Sequence, residues 1–349
     1  MSRPELTRRT LLLALLLSSF ASQAADMRRS PPVLPGRLLI EDGRQQAFET
    51  SLVELSSGKT QRMPRSEIAK GQTSADTWAA GHPAGSGTLL RTDPLGNLAF
   101  MDGRTMDVLA AINLVPLRER GLDPQFRSAI PSPDGKYLLG YWQPNQEGKP
   151  RLFVIGRELK LIENDSPLRY PTQGATHALD WLPDGRYVYL AGNALVVARP
   201  GEGIISQTRL EIPGGADVEG ASLKASPDGK HVILTLETQA RVPLGLLYAA
   251  RIGDSKLQLL TQPSAGIANG SVRLSVQGAA WSPDGRWIAF VMRGINPGTP
   301  GYYQACQPVQ VIPFDGATHI IGGAEDRYSI HLPRDSKPLA ACGRINWLP

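Results

Sequence analysis

A turn motif that recurs four times along the chain constrains the fold more than any other feature of this sequence. Each copy contains Pro-Asp-Gly, which follows a short run of small or apolar residues and precedes a run rich in β-branched and aromatic residues. Proline presets φ, aspartate bonds to the backbone ahead of it and glycine accepts a positive φ, so the motif reverses the chain between two strands. The aspartates of the four copies are Asp134, Asp184, Asp228 and Asp284. We assign them a structural role in their own turns.

Two further strand-like runs follow each hairpin, so every repeat predicts four antiparallel strands, the composition of one blade of a β-propeller. These runs are residues 151–155 and 159–162, 194–198 and 208–212, 244–252 and 256–260, and 308–313 and 317–321. A fifth unit, whose first turn lacks Pro-Asp-Gly, is predicted upstream over residues 75–79, 88–92, 97–101 and 107–112. Tryptophans at equivalent strand positions are expected to pack between blades; they are Trp78, Trp181, Trp281 and Trp347.

The two ends of the chain each carry half of one more unit. Residues 344–349 match the strand that precedes the turn in the other repeats, and residues 35–40 match the strand that follows it. Residues 48–55 and 59–63 supply the outer strands. We therefore predict an all-β, six-bladed propeller, in which the C-terminal strand pairs beside residues 37–40. This pairing closes the ring and removes the exposed edges of an open array.

The first 24 residues have the pattern of a signal peptide. Arg3, Arg8 and Arg9 precede an apolar run over residues 11–17, and small residues surround a cleavage site expected after Ala24. The run is shorter than the roughly 20 residues that a membrane-spanning helix needs, so we expect no membrane span after cleavage. The adjacent arginines fit a twin-arginine export signal and an ordinary Sec signal. Both predict a periplasmic or secreted bacterial protein whose propeller domain covers residues 25–349.

Charge and cysteine content narrow the range of partners. Cleavage lowers the net charge from +5 to +3, because three Arg and one Glu leave with residues 1–24. The remaining charges are mixed in sign and form no basic stripe, so nucleic acid is not an expected partner.

Cys306 and Cys342 are the only cysteines. In an oxidising compartment such a pair predicts a disulfide, and a metal site or reactive thiol would need a nearby His or a CxxC spacing that is absent. We expect the bridge on one face beside the closing blade.

Tandem Ser-Pro-Asp-Gly or Leu-Pro-Asp-Gly turns between a small-residue strand and an aromatic, β-branched strand resemble the WD40-like repeat of the TolB-like six-bladed β-propeller family. The resemblance covers nearly all of the chain after residue 24, and it implies the fold. Because the motif is a turn, it implies little about chemistry. The family includes a periplasmic scaffold that binds partner proteins, so the resemblance also implies protein binding. We expect no N-terminal α/β domain of the TolB kind, since the strands begin almost directly after the signal.

Recognised catalytic and cofactor motifs are absent from the sequence, including GxSxG, HExxH, a P-loop and a dinucleotide fingerprint. We therefore expect no cofactor and no metal. The loops that enter the inner strands lie on the face opposite the turns, together with two long connections over residues 293–305 and 323–341, and long loops on a rigid scaffold often bind ligands. The candidate ligand- or partner-binding residues on this face are Arg127, His177, Glu219, Gln277, Tyr302, Tyr303 and Arg344.

Two functions are compatible with these features. The first is a monomeric exported scaffold, whose loops on one face bind an envelope protein or a small polar ligand. The alternative is a propeller enzyme, a hydrolase or lyase with an unrecognised site at the central channel. The candidate residues also fit ordinary solvated loops, and His177 also fits a structural hydrogen-bonding partner.

Overall fold

A computed structural model describes residues 33–44, 47–62, 79–80, 88–92, 98–102, 108–112, 130–142, 151–156, 161–163, 178–213, 218–238, 246–264, 273–295, 306–321, 328–333, 335, 337–342 and 345–349. Residues 35–349 belong to one compact unit. The predicted signal peptide over residues 1–24 and Trp78 lie outside the described residues.

The described strands form six four-stranded antiparallel sheets and one two-stranded parallel sheet. The terminal sheet contains β1 (Arg37–Arg44), β2 (Ala47–Glu54), β3 (Thr60–Arg62) and β26 (Ile345–Leu348). The first sheet contains β4 (Ala79–Ala80), β5 (Thr88–Thr92), β6 (Leu98–Asp102) and β7 (Val108–Ile112). The second sheet contains β8 (Ile130–Pro131), β9 (Tyr137–Trp142), β10 (Arg151–Gly156) and β11 (Leu161–Glu163).

The remaining sheets follow in chain order. The third contains β12 (Leu179–Trp181), β13 (Tyr187–Ala191), β14 (Ala194–Arg199) and β15 (Gly203–Arg209). The fourth contains β16 (Val218–Ala225), β17 (His231–Thr238), β18 (Leu247–Arg251) and β19 (Leu257–Leu259). The fifth contains β21 (Arg273–Trp281), β22 (Trp287–Ile295), β23 (Gln307–Pro313) and β25 (Ala340–Ala341). The parallel pair consists of β20 (Thr261–Pro263) and β24 (His319–Ile321).

The first strands of neighbouring sheets contact one another in chain order. β8 lies against β4 and β12, β16 lies against β12 and β21, and β26 lies against β21. We call these six strands the inner strands. Four-stranded antiparallel sheets whose inner strands pack side by side form a β-propeller, and the predicted all-β propeller class is therefore confirmed.

The terminal sheet is built from both ends of the chain, as predicted. β26 pairs with β1 in antiparallel register, beginning with Leu348 opposite Arg37. The Trp347 indole N–H donates to the Pro35 carbonyl oxygen at 2.6 Å, and Arg37 Nε donates to the Pro349 carbonyl oxygen at 3.1 Å. Trp347 is 1% exposed, so the joint between the chain ends lies in the apolar interior.

Two predicted outer strands differ from the structure. The sequence predicts a strand over residues 208–212, whereas β15 starts at Gly203 because a tight turn returns the chain earlier. In that turn, Glu202 N–H donates to the Arg199 carbonyl at 3.1 Å, and Gly201 and Gly203 have positive φ.

The prediction that residues 317–321 form the outer strand of the fifth sheet is wrong. This segment contains β24, which pairs in parallel with β20 next to the fourth sheet. His319 N–H donates to the Leu260 carbonyl, and the Thr318 hydroxyl donates to the Leu259 carbonyl, both at 2.8 Å. The segment therefore links the fourth and fifth sheets at their outer ends.

The predicted connection over residues 323–341 also differs, because part of it lies along the fifth sheet. Ile330 N–H donates to the Val309 carbonyl at 2.9 Å, and Val309 N–H donates to the Leu339 carbonyl at 2.7 Å. Two short segments thus cover the outer edge of β23, where the sequence predicts a single strand.

Candidate functional site

The Pro-Asp-Gly turns of the third, fourth and fifth sheets lie together on one face of the molecule. A Cβ atom placed on Gly229 would lie 3.0 Å from Pro183 Cδ, and one on Gly285 would lie 3.8 Å from Pro227 Cδ, so turns of consecutive sheets are neighbours. We call this side the turn face. The inner strands end there and begin on the opposite side, which we call the entry face.

The turn aspartates bond within their own turns, so their predicted structural role is confirmed. Ser132 Oγ donates to Asp134 Oδ1 at 2.7 Å, and Lys136 N–H donates to the same oxygen at 3.1 Å. Equivalent bonds from the following backbone N–H reach Asp184, Asp228 and Asp284 at 3.0–3.1 Å.

Two of these carboxyl groups have lowered pKa values. Partial burial acts to raise the pKa of Asp134, but bonds from Ser132 and Lys136 and the charge of Lys136 outweigh it. Asp228 has the same balance, with bonds from Ser226 and Lys230. Both folded-state values lie below the usual 3.8. Their stabilising contribution is therefore present above that value and is lost as the pH falls through the lower folded-state value.

Side chains near the turn face join the inner strands of neighbouring sheets. The Trp181 indole N–H donates to the Ile130 carbonyl at 2.7 Å, and that of Trp281 donates to the Lys224 carbonyl at 3.0 Å. The prediction of packing between blades is confirmed for these two tryptophans, whereas Trp347 bonds within its own sheet. Asp180 reaches the other way, since its Oδ2 accepts the Ala225 N–H at 2.9 Å.

Two candidate residues on the entry side occupy β-bulges. The register of β16 against β17 shifts between Val218 and Gly220, so Glu219 is the extra residue. The register of β21 against β22 shifts between Val276 and Gly278, so Gln277 is the extra residue. β16 and β21 are neighbouring inner strands. Bulges are over-represented next to functional sites, because they interrupt the pairing and redirect the strand.

Five candidate residues from the sequence fall outside the described residues; they are Arg127, His177, Tyr302, Tyr303 and Arg344. Of Glu219 and Gln277 the structure describes the backbone. The structure therefore brings two of the seven candidates onto adjacent strands.

The predicted disulfide between Cys306 and Cys342 is present. Cys306 immediately precedes β23, and Cys342 follows β25 and precedes the closing strand β26. Because β23 and β25 are antiparallel, both cysteines lie at the entry end of the fifth sheet. The bridge therefore fastens the segment that leads into the terminal sheet.

Sequence reasoning overlooked a set of inner-strand residues that lie two positions before the Ser or Leu of each turn. We call this the inner ring position; its residues are Ile130, Asp180, Lys224, Ala280 and Asn346. Aligning the repeats at the turn would have revealed it, because polar residues recur there in otherwise apolar strands. Asp180 and Asn346 are 5% and 8% exposed, so they are polar groups in a buried layer.

A second polar cluster lies at the outer end of the fifth sheet. His319 Nε2 is 3.2 Å from Asp315 Oδ1, and its Nδ1 is 3.3 Å from the Tyr328 hydroxyl. His319 is 8% exposed and anchors β24 to the segment that covers β23. These contacts fit a structural connection between the two segments.

In the described part of the chain, no group of three or more His, Cys, Asp or Glu residues is arranged to hold a metal ion. The same residues contain no helix with the length and apolar character needed to cross a membrane.

Comparisons with known proteins identify no family for this chain. No protein-family model matches the chain. No curated protein matches its sequence. Among solved structures, it is similar to a protein of unknown function from Bacteroides caccae at 12% identity and a TM-score of 0.47, over 89% of this chain and 98% of that one.

Two other similar structures have comparable scores. The β-propeller domain of Cps50 (Swd1) from Myceliophteria thermophila is 14% identical with a TM-score of 0.43, over 89% of this chain and 87% of that one. A protein from Lactobacillus plantarum is 16% identical with a TM-score of 0.45, over 82% and 81%.

Proposed function

We propose that this protein is an exported six-bladed β-propeller of the TolB-like kind, which binds an envelope protein or a small polar ligand on its entry face. Export rests on the signal-like pattern of residues 1–24, with cleavage after Ala24 and a periplasmic or secreted product. The Cys306–Cys342 bridge supports this compartment, because disulfides persist in oxidising surroundings.

Six blades are supported by the six four-stranded sheets and by the chain-order contacts of their inner strands. In this proposal the terminal sheet is the closing blade, and residues 25–349 form one domain.

The observation that carries the proposed binding role is the pair of bulges at Glu219 and Gln277. A ring with a purely structural role could be built from regular strands. Both bulges instead interrupt inner strands on the side where the entry loops lie, and bulges are common next to functional sites. On sequence grounds, the other proposed contacts of this surface are Arg127, His177, Tyr302, Tyr303 and Arg344. The proposed partner is an envelope protein or a small polar ligand, because the candidates combine both charges with amide, imidazole and phenol groups.

The test is affinity capture from a periplasmic extract with the tagged mature protein. We expect Glu219→Ala combined with Gln277→Ala to reduce recovery of the captured partner at least about tenfold, because loss of two hydrogen-bonding groups at an interface centre has this magnitude. The matched control is Glu202→Ala with Gln207→Ala, a Glu and Gln pair exposed on and beside β15.

The control variant should capture the partner as the unchanged protein does. Equal recovery by all three proteins, or equal loss in both variants, would contradict the proposed entry-face site.

A further inference from the structure

We propose that the outer edge of β15 (Gly203–Arg209) pairs with the same edge of a second copy of this chain, so that two propellers join through one continuous sheet. This inference goes beyond the proposed function, because β15 is the outer strand of the third sheet and takes no part in the entry-face site. A pair of copies replaces the monomer expected from the sequence.

β15 has a free backbone edge. It is the last strand of the third sheet, and β14 is its only partner among the described strands. Leu210 N–H donates to the Asn193 carbonyl at 2.8 Å, so the alternation along an antiparallel pair directs the backbone groups of Gln207 and Arg209 away from β14. An edge with outward N–H and C=O groups is a template for another strand.

The same edge exposes apolar side chains. Ile204 and Ile205 are neighbours on β15, and they are 55% and 46% exposed. By contrast β3, the outer strand of the terminal sheet, carries only polar side chains. Proteins normally blunt a free edge with charges or proline, whereas two adjacent isoleucines favour burial against another chain.

The charges at the two ends of β15 favour a second copy as the occupant. Glu202 precedes the strand and Arg209 ends it, and both are exposed. Two copies related by a two-fold axis pair their edges antiparallel, so the start of each strand meets the end of the other. Each Glu202 then lies near Arg209 of the second copy, and opposite charges across paired strands stabilise the pairing. The Glu202 carboxylate also pairs with Arg199 at 3.1 Å, but its side chain is 59% exposed and can accept a second cation.

Sedimentation equilibrium of the mature protein over a range of concentrations measures this association. We expect the unchanged protein to dimerise reversibly. Gln207→Pro should weaken dimerisation by about tenfold or more, because proline removes an outward N–H and blocks the edge without removing a bond to β14. Gln207→Ala is the matched control, since it keeps the backbone N–H, and it should dimerise as the unchanged protein does.

Two charge variants test the choice of a second copy, and they keep the test decisive if Gln207→Pro does not fold. Arg209→Glu and Glu202→Arg should each weaken dimerisation by about tenfold or more, because each places like charges at both ends of the paired edges. An equimolar mixture of the two variants should dimerise, because each of these contacts then joins opposite charges. Circular dichroism checks the fold of each variant.

A monomer at every concentration, or equal association of Gln207→Pro and Gln207→Ala, would overturn the self-pairing of β15. A mixture of the charge variants that associates no more than its components would also overturn it. If the pure protein is monomeric, and a different protein is captured from a periplasmic extract by the unchanged chain but not by Gln207→Pro, the edge binds that protein and the self-pairing is wrong.

Affinity capture that depends on Glu219 and Gln277 reads the entry-face function separately. Loss of the dimer leaves those two positions unchanged, so the Glu202→Ala, Gln207→Ala protein remains a valid control for capture. If capture requires Glu219 and Gln277 while the protein stays monomeric, the self-pairing is wrong and the entry-face function stands.

Discussion

Single residues at the turn end of the inner strands join neighbouring sheets from the second sheet to the fifth. Trp181 and Trp281 donate to carbonyl oxygens of the preceding sheet, while Asp180 accepts a backbone N–H of the following one. An inner strand has one edge that no neighbouring strand pairs, and unpaired backbone groups in a buried layer are costly. These side chains therefore satisfy polar groups that the β-ladder leaves over, and they fix the order of the sheets.

Substitution of Gly36 tests the pairing of β26 with β1. Gly36 has a φ of +76°, and a Cβ atom on it would collide with the Leu348 carbonyl oxygen of β26. Gly185 also has a positive φ, +82°, but a Cβ atom on it would have no atom within 4 Å. Both Gly→Ala changes should cost about 1–2 kcal/mol for the left-handed backbone. Gly36→Ala should cost about 1–3 kcal/mol more, because of overpacking.

Urea denaturation of the Gly36→Ala and Gly185→Ala proteins measures this difference. Equal losses of unfolding free energy would show that β26 does not lie against Gly36.

At the scale of elements, the alternation of apolar and polar residues identified most strands but not all of their partners. Residues 317–321 read as a strand, and β24 forms within them, yet it pairs beside the fourth sheet. The period of two fixes which face of a strand is apolar, whereas the choice between two available sheet edges depends on distant backbone. The outer strands were therefore less predictable than the inner hairpins, whose turns determine their pairing.

The disulfide fixes covalently the segment that leads into β26, and so supports the pairing of β26 with β1. Cys306 and Cys342 are 36 residues apart. Closing a loop of that length stabilises by about 4 kcal/mol in the chain-entropy model. We expect the Cys306→Ser, Cys342→Ser protein to lose up to this amount of unfolding free energy, and hydrogen exchange of β26 amides to increase before that of β12 or β13.

Thermal melting and native-state hydrogen exchange measure both effects, and the reduced unchanged protein serves as the control because it should match the double variant. Coincident melting curves for the oxidised protein and the double variant would refute the role of the bridge in closure.

At the scale of the whole molecule, the strand before the turn and the strand after it come from opposite ends of the chain in the terminal sheet, where the other repeats connect them by Pro-Asp-Gly. Trp347 lies opposite Leu38 in the terminal sheet, as Trp181 lies opposite Tyr187 in the third sheet. Pro349 and Gly36 correspond to Pro183 and Gly185, so Pro35 takes the place of Asp184. The break in the chain therefore falls inside a hairpin whose pairing is otherwise preserved.

A circular permutant tests this equivalence. Residue 349 is joined directly to residue 35 carrying Pro35→Asp, which restores Leu-Pro-Asp-Gly-Arg, and new ends are opened between residues 214 and 215. We expect it to fold and to melt at or above the temperature of the unpermuted protein, because strand closure becomes local. The double Cys→Ser change should then cost less than it does in the unpermuted chain.

Circular dichroism and thermal melting of both chains, with and without the cysteines, provide the measurement. A permutant that fails to fold, or that depends on the disulfide as strongly as before, would contradict the assignment of the terminal sheet.

The candidate site was predictable only in part. Glu219 and Gln277 were identified because they precede inner strands, but their position in bulges depends on how two strands slip against each other. The bond from the Ala225 N–H to Asp180 was not predictable, because it forms only when two inner strands that are distant in sequence lie side by side.

The sequence by itself determined the four-stranded repeat, the turns, the pairing of the two chain ends and the disulfide partners, because these features depend on local backbone preference and on a repeated pattern. Tertiary structure alone decided where β24 pairs, which strands carry bulges and which side chains bond to a neighbouring sheet. Those outcomes depend on competition between distant backbone edges and side chains for hydrogen bonds, and no local pattern records that competition.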